Sequence, residues 1–192
     1  MQANGRKAIP LYVAAIVALA AVGVWLGSTL GRHQADAAAE SNRAERQAFM
    51  EKTMREIEVG KPFPDATVWS ADGSQAYRIA ELTPTGGLIV YVSIGCPRCI
   101  DAVEALNQAR QSAGPQAPPV IVVTAGDPAG LAGALDNRDI TIPIYQDTED
   151  AFTRRFGVTT TPTCFLLDGR GVVTKVATAV ESSTDFAEMM SN

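Results

Sequence analysis

Histidine is almost missing from this chain of 192 residues: His33 is the only one, and cysteine occurs three times, at Cys96, Cys99 and Cys164. Three cysteines are too few for a disulfide scaffold, and their odd number suggests one working pair and one spare. A structural zinc site needs four ligands of cysteine, histidine or carboxylate type, and here it has little to be built from. Positive charge is also short, with 16 Lys and Arg against 21 Asp and Glu and a formal net charge of -5. No basic patch is visible, which argues against a nucleic-acid partner.

Charge of either sign is absent from Leu11 to Leu30, LYVAAIVALAAVGVWLGSTL. At about 1.5 Å per residue such a helix crosses a hydrocarbon core of about 30 Å, so the segment reads as transmembrane and its partner as the lipid bilayer. The rival is a cleaved signal peptide, for which Ala35-Asp36-Ala37 offers a small-x-small site, although its apolar region should run only about 7 to 15 residues. Arg6 and Lys7 precede the segment while Arg32, Arg43 and Arg46 follow it, so counting charge does not orient it. The short N-terminal side favours an N-in topology with the C-terminal domain outside, which in a bacterium is the periplasm. Trp25 reads as an interface anchor.

The expected organisation is a tail and transmembrane anchor over 1–31, a helical juxtamembrane linker over 32–58 and one domain over 59–192. The linker is rich in helix formers and carries Met50, Met54 and Ile57 at i, i+4, i+7 spacing, either on a solvated spacer or as a docking or self-association stripe. Val59-Gly60-Lys61-Pro62-Phe63-Pro64 cannot be regular helix, because its prolines lack amide donors and disfavour helix in the residue before them. Ala66 to Trp69 and Gln75 to Ile79 flank Ala71-Asp72-Gly73, a hairpin signal with Trp69 packing on it.

Leu88 to Ser93 is a continuous apolar run, expected of a strand buried on both faces of a parallel sheet. Pro97 to Ala113 reads as an amphipathic helix that ends before Gly114-Pro115, and Val120 to Thr124 as a second buried strand. Together they form a βαβ unit, whose loops at the strands' C-terminal ends favour sites. Cys96 falls in such a loop. The remainder alternates: helix over Leu131 to Leu135, strand over Ile142 to Tyr145, and helix over Glu149 to Phe156 started by Asp147 and Asp150. Strands Cys164 to Leu167 and Val172 to Ala177 follow, joined by the Asp168-Gly169-Arg170-Gly171 turn, and a last helix lies near Asp185 to Met190.

Placing Cys96 at an N-cap and Pro97 in the first turn leaves amide donors and the positive helix end facing the Cys96 sulfur, an arrangement that favours a thiolate. Arg98 can add to the effect. The two-residue spacing lets Cys99, one turn in, reach Cys96 and resolve a mixed disulfide. A lone Cys-x-x-Cys is also compatible with half a zinc site, with copper handling or with an inert buried pair.

Ser93-Ile94-Gly95-Cys96-Pro97-Arg98-Cys99, followed by Val158-Thr159-Thr160-Thr161-Pro162-Thr163-Cys164-Phe165-Leu166-Leu167-Asp168, resembles the thioredoxin superfamily. More narrowly it is similar to the membrane-anchored periplasmic redoxins, the TlpA- and ResA-like thiol-disulfide oxidoreductases. The resemblance covers about Val59 to Asn192. It implies a thioredoxin-like α/β fold, a central mixed sheet flanked by helices, with the hairpin as an N-terminal extension. It also implies a Cys96–Cys99 redox pair supported by Pro97, Arg98 and a cis Pro162, and a substrate chain that lies on Thr161 and Gly95. Expected partners are a client protein disulfide or dithiol and a membrane thiol-disulfide electron donor. No metal or organic cofactor is required, and a reductase, for instance of apocytochrome c, is favoured.

The chain departs from the family at Gly95, where thioredoxins carry an aromatic residue, and at Val90, where they bury an acid. Cys99 therefore has no obvious internal base; Asp101 and Glu104 read as solvated carboxylates, and water can serve. Cys164 reads as a core side chain, with a third redox cysteine as the alternative. Two further functions stay open: a peroxidase, although the Pro-x-x-x-Thr-x-x-Cys pattern of such relatives is absent, and a redox-gated assembly factor without turnover.

Overall fold

A computed structural model describes residues 56–136 and 138–191, with positions 41, 44, 45, 48 and 54. The anchor expected over 11–30 lies outside the described residues, among which no helix is long and apolar enough to cross a membrane. The fold belongs to the compact unit Glu45–Asn192.

Seven strands form one sheet in the order β2-β1-β5-β4-β3-β6-β7. They are β1 (Thr67–Ser70), β2 (Ala76–Arg78), β3 (Gly87–Ser93), β4 (Val120–Ala125), β5 (Ile144–Gln146), β6 (Thr163–Leu167) and β7 (Val173–Thr178). The helices are α1 (Ile79–Leu82), α2 (Pro97–Ala113), α3 (Pro128–Ala134) and α4 (Ser183–Met190). β3, β4 and β5 are parallel, while β6, β7 and the leading hairpin are antiparallel to their neighbours. The mixed sheet agrees with the expected fold class.

The apolar run of β3 is divided between two cores by the period of two in a strand. Leu88, Val90 and Val92 face one core with Cys99, Val103 and Leu106 of α2, and with Phe186 and Met189 of α4. Ile89 and Tyr91 face the other, with Phe152, Phe156 and Phe165. There the Tyr91 and Phe152 rings stack 4.7 Å apart, and Phe63 packs edge-on against Phe156 and Phe165. Met54 and Ile57, the described members of the linker's apolar stripe, pack on this second core. Their apolar surface is thus used within the domain.

Two local expectations are corrected. The segment read as a helix over 149–156 is a π-helical turn, Ala151–Arg155. Asp147, almost fully buried, starts it by accepting hydrogen bonds from the amides of Ala151 and Phe152, each at 2.9 Å, whereas Asp150 sits in a left-handed conformation and pairs with Arg154. Ile79, read as the end of a strand, begins α1, because the Glu81 carboxylate turns back to accept from the Arg78 amide. At the start of β3, Gly86 and Gly87 have φ of +82° and +147°. A Cβ on either would collide with backbone, of Leu167 and Asp168 or of Pro119.

Asp147→Ala leaves two buried amides without acceptors and should lower the unfolding free energy by about 2 kcal/mol. Chemical denaturation measures it; a change below about 0.5 kcal/mol, ordinary for a surface substitution, would refute this role.

Candidate active site

The turn after β3 carries the motif. Ser93 ends the strand, its carbonyl accepts from the Cys96 amide at 3.1 Å, and Cys96 occupies the N-cap of α2 with Pro97 as its first residue. Proline suits that position because its missing amide would be unpaired in a first turn. The Cys99 amide closes the turn on the Cys96 carbonyl at 3.0 Å. Cys96 is half-buried, whereas Gly95, Pro97 and Arg98 around it are exposed and Cys99 is fully buried. A Cβ on Gly95 would meet nothing within 4 Å. The surface beside Cys96 is therefore open where the resemblance to thioredoxins leads one to expect an aromatic ring.

The second motif reaches the same place from β6. Its Thr161–Pro162 peptide bond is cis, and the Cys96 thiol donates to the Thr161 carbonyl, Sγ to O 3.6 Å. The Thr163 hydroxyl ties the same loop by donating to the Thr160 carbonyl at 2.7 Å. All three cysteines are free thiols, so the geometry is that of the dithiol form.

Burial pushes the Cys99 thiol from its usual 9.0 to about 12, and the neighbouring Cys96 thiol adds to the rise; the Ser93 amide and the Thr161 side chain, which hydrogen-bond to the thiolate, work in the opposite direction. Cys164, opposite Val90 in the β3–β6 pairing, lies in the core that holds Cys99, and burial pushes its thiol up as well. A cysteine so placed behaves as a small apolar side chain. No carboxylate approaches Cys99 among its interacting groups: Glu104 pairs with Arg138 on the exposed side of α2, and Asp101 is exposed.

Two features were not read from the sequence. Ile94, just before Gly95, packs over the second βα loop, its Cδ1 lying 3.2 Å from where a Cβ would stand on Gly126 and 3.5 Å from that position on Gly130. Gly126 also has φ +101°, a backbone conformation that disfavours any side chain there. The other feature is the segment after β7. The Ala179 amide donates to the Pro162 carbonyl at 3.0 Å, Val180 is buried, and the Ser182 hydroxyl caps α4 through the Asp185 amide. Between them Glu181 reaches Arg98, Oε1 to Nη1 3.6 Å, with both side chains largely exposed. Only the clustering of turn formers at Glu181-Ser182-Ser183 hinted at this wall.

No group of three or more His, Cys, Asp or Glu able to hold a metal occurs among the described residues. What the arrangement offers chemically is an accessible thiol, a buried thiol one helical turn away and a carbonyl edge beside them.

Comparisons with known proteins bear on the family and the fold. A family model described as Redoxin matches residues 58–191. The chain is 25% identical to the thiol-disulfide oxidoreductase ResA of Geobacillus thermodenitrificans over 141 residues, 73% of this chain and 79% of the relative. Among solved structures, a thioredoxin-family thiol:disulfide interchange protein from Chlorobium tepidum superposes with a TM-score of 0.57 at 20% identity, covering 68% of this chain and 94% of that one. StoA from Bacillus subtilis does so with a TM-score of 0.51 at 16% identity, over 66% and 96%. At such identities the structural likenesses speak for the fold.

Iodoacetamide at neutral pH should modify Cys96 in the native dithiol protein while Cys99 reacts about a thousandfold more slowly than in the unfolded chain, as follows from a thiol held near 12. Mass spectrometry of the alkylated peptides gives the order. Because folding raises the Cys99 value, the native state keeps its proton longer than the unfolded one. That contribution to stability is complete below about 9 and is lost as pH rises through about 12. The dithiol form should therefore lose more denaturant resistance across this window than the disulfide form. Equal losses would refute it.

Proposed function

The chain belongs to the Redoxin family as a thiol-disulfide oxidoreductase of the thioredoxin-like type, and from that membership we propose that Cys96 and Cys99 are its redox pair. The observation that carries the proposal is the difference in burial between two thiols one turn apart, with the Thr161 carbonyl against the half-buried one. The Cys96 thiolate attacks one sulfur of a client disulfide, forming a mixed disulfide and expelling the other client sulfur as a thiolate. Cys99 gives up its proton, which the departing client thiolate can take, and attacks the Cys96 sulfur. The second client thiol leaves, and a Cys96–Cys99 disulfide remains. Two electrons have passed to the client; a dithiol donor returns them by the reverse exchange.

The neighbours support the pair. Pro97 shapes the first turn of α2, Arg98 places a cation beside the pair, and Pro162 presents Thr161 to the cysteines. An extended client segment pairs with the Thr161 backbone and passes over Gly95, whose missing side chain leaves room for it. Exchange between sulfurs needs neither a metal nor an organic cofactor.

In the cell the protein is a reductase of client disulfides, such as those of apocytochrome c, tethered by residues 11–30 to the bacterial inner membrane. The domain faces the periplasm there and draws electrons from a membrane thiol-disulfide donor. The uncharged run of twenty residues ahead of the domain supports the tether. The likeness to the Geobacillus relative, a thiol-disulfide oxidoreductase, supports the chemistry.

Titration of the full-length chain in nonionic detergent against glutathione and dithiothreitol, with free thiols counted by alkylation, should reveal one reversible two-electron couple near or below about -270 mV. A value near about -120 mV would make the protein an oxidant of client thiols, and no couple at all would end the oxidoreductase reading. Cys99→Ser should accumulate a mixed disulfide with a client, and Cys96→Ser should abolish turnover; a Cys96→Ser protein that retains its cellular role would instead be an assembly factor.

Membrane fractions washed with alkaline carbonate should retain the full chain and lose a chain without residues 1–31. Equal release of both would refute the tether.

A further inference from the structure

The cation inside the motif does not stand alone. Arg98, between the two cysteines, is met by Glu181 from the segment that links β7 to α4, Nη1 to Oε1 3.6 Å. This carboxylate is not carried on a loose tail. On one side Ala179 adopts φ +56° and donates its amide to the Pro162 carbonyl, and on the other the Ser182 hydroxyl caps α4. Val180, between these tethers, is buried in the core that also contains Cys99 and Cys164. Glu181 is therefore delivered to Arg98 by the same hydrogen-bonded loop that backs the proline beside Cys96.

A cation next to a thiolate favours the reduced, ionised form over the disulfide and so makes a couple more oxidising. A carboxylate that pairs with that cation draws it aside and offsets its charge. We propose that Glu181 is a positioning residue that tunes the Cys96–Cys99 couple through Arg98, holding it more reducing than the motif alone would make it. This inference rests on the redox-pair reading above and adds to it a residue outside both sequence motifs. Because both partners are largely exposed, their interaction is screened by water and the effect is modest.

The test measures the equilibrium constant against glutathione for four full-length proteins in nonionic detergent: wild type, E181Q, R98Q and the double variant. E181Q should shift the equilibrium two- to threefold toward the dithiol, about 9 to 14 mV at 29.6 mV per decade for a two-electron couple. R98Q should shift it in the opposite sense, and E181Q added to R98Q should bring no further change. The E181Q shift should also shrink in 1 M sodium chloride, where the screening length falls to about 3 Å. A melting temperature unchanged in E181Q separates tuning from a fault in folding. A wild-type couple that E181Q leaves unmoved, or moves equally with and without Arg98, overturns the inference while leaving the redox-pair reading intact; a wild type without a couple overturns both.

Discussion

The antiparallel pairing of β3 with β6 is the constraint on which the rest of the molecule depends. It sets Tyr91 opposite Thr163 and Val90 opposite Cys164, so the C-terminal end of one strand and the N-terminal start of the other lie at the same edge of the sheet. The turn that carries Cys96 and the turn that carries Thr161 and Pro162 then have no other place to go. A slip of one residue would exchange the two faces of each strand, sending Cys164 and Leu166 into the aromatic core and Phe165 under α2. Large side chains on both sides of β3 resist that slip, and so the packing of the sheet fixes the meeting of the motifs.

Handling of the proton is arranged differently from what the resemblance to thioredoxins leads one to expect. With Val90 in the central strand and Cys164 beside it, the layer beneath Cys99 is apolar. The buried thiol feels mainly the loss of water, and what favours its anion comes from above, from the Ser93 amide and the Thr161 side chain. The end of β3 and the loop before β6 thus together ease ionisation of the second cysteine.

Much of this could be read from the residues in order. The apolar run of β3, the proline after Cys96 and the Asp-Gly turns are local signals, and the strands, α2 and both hairpins stand within a few residues of their expected positions. The two motifs named the chemistry, and the family comparison agrees with it. What could not be read was tertiary in origin. Asp147 and Asp150 look alike in sequence, yet only burial of one against two amides decides which starts the turn. Glu181 lies 83 positions beyond Arg98 in a segment without a motif, so its contact depends on β7 ending beside Pro162. The stripe of Met54 and Ile57 carries the period of a helix, but the period alone does not say whether the partner is another molecule or the domain's own core.

Ile94 fills the space over Gly126 and Gly130, so the turn that leads to Cys96 rests on a connection that contains no cysteine. The β4–α3 loop and the first turn of α3 lie beneath the residue that leads into that turn. In evolutionary terms this makes it a site where the behaviour of the pair can drift silently. A lineage that put a side chain longer than alanine's at Gly130 while keeping Ile94 would press on the turn above it, yet keep every letter of Cys-Pro-Arg-Cys.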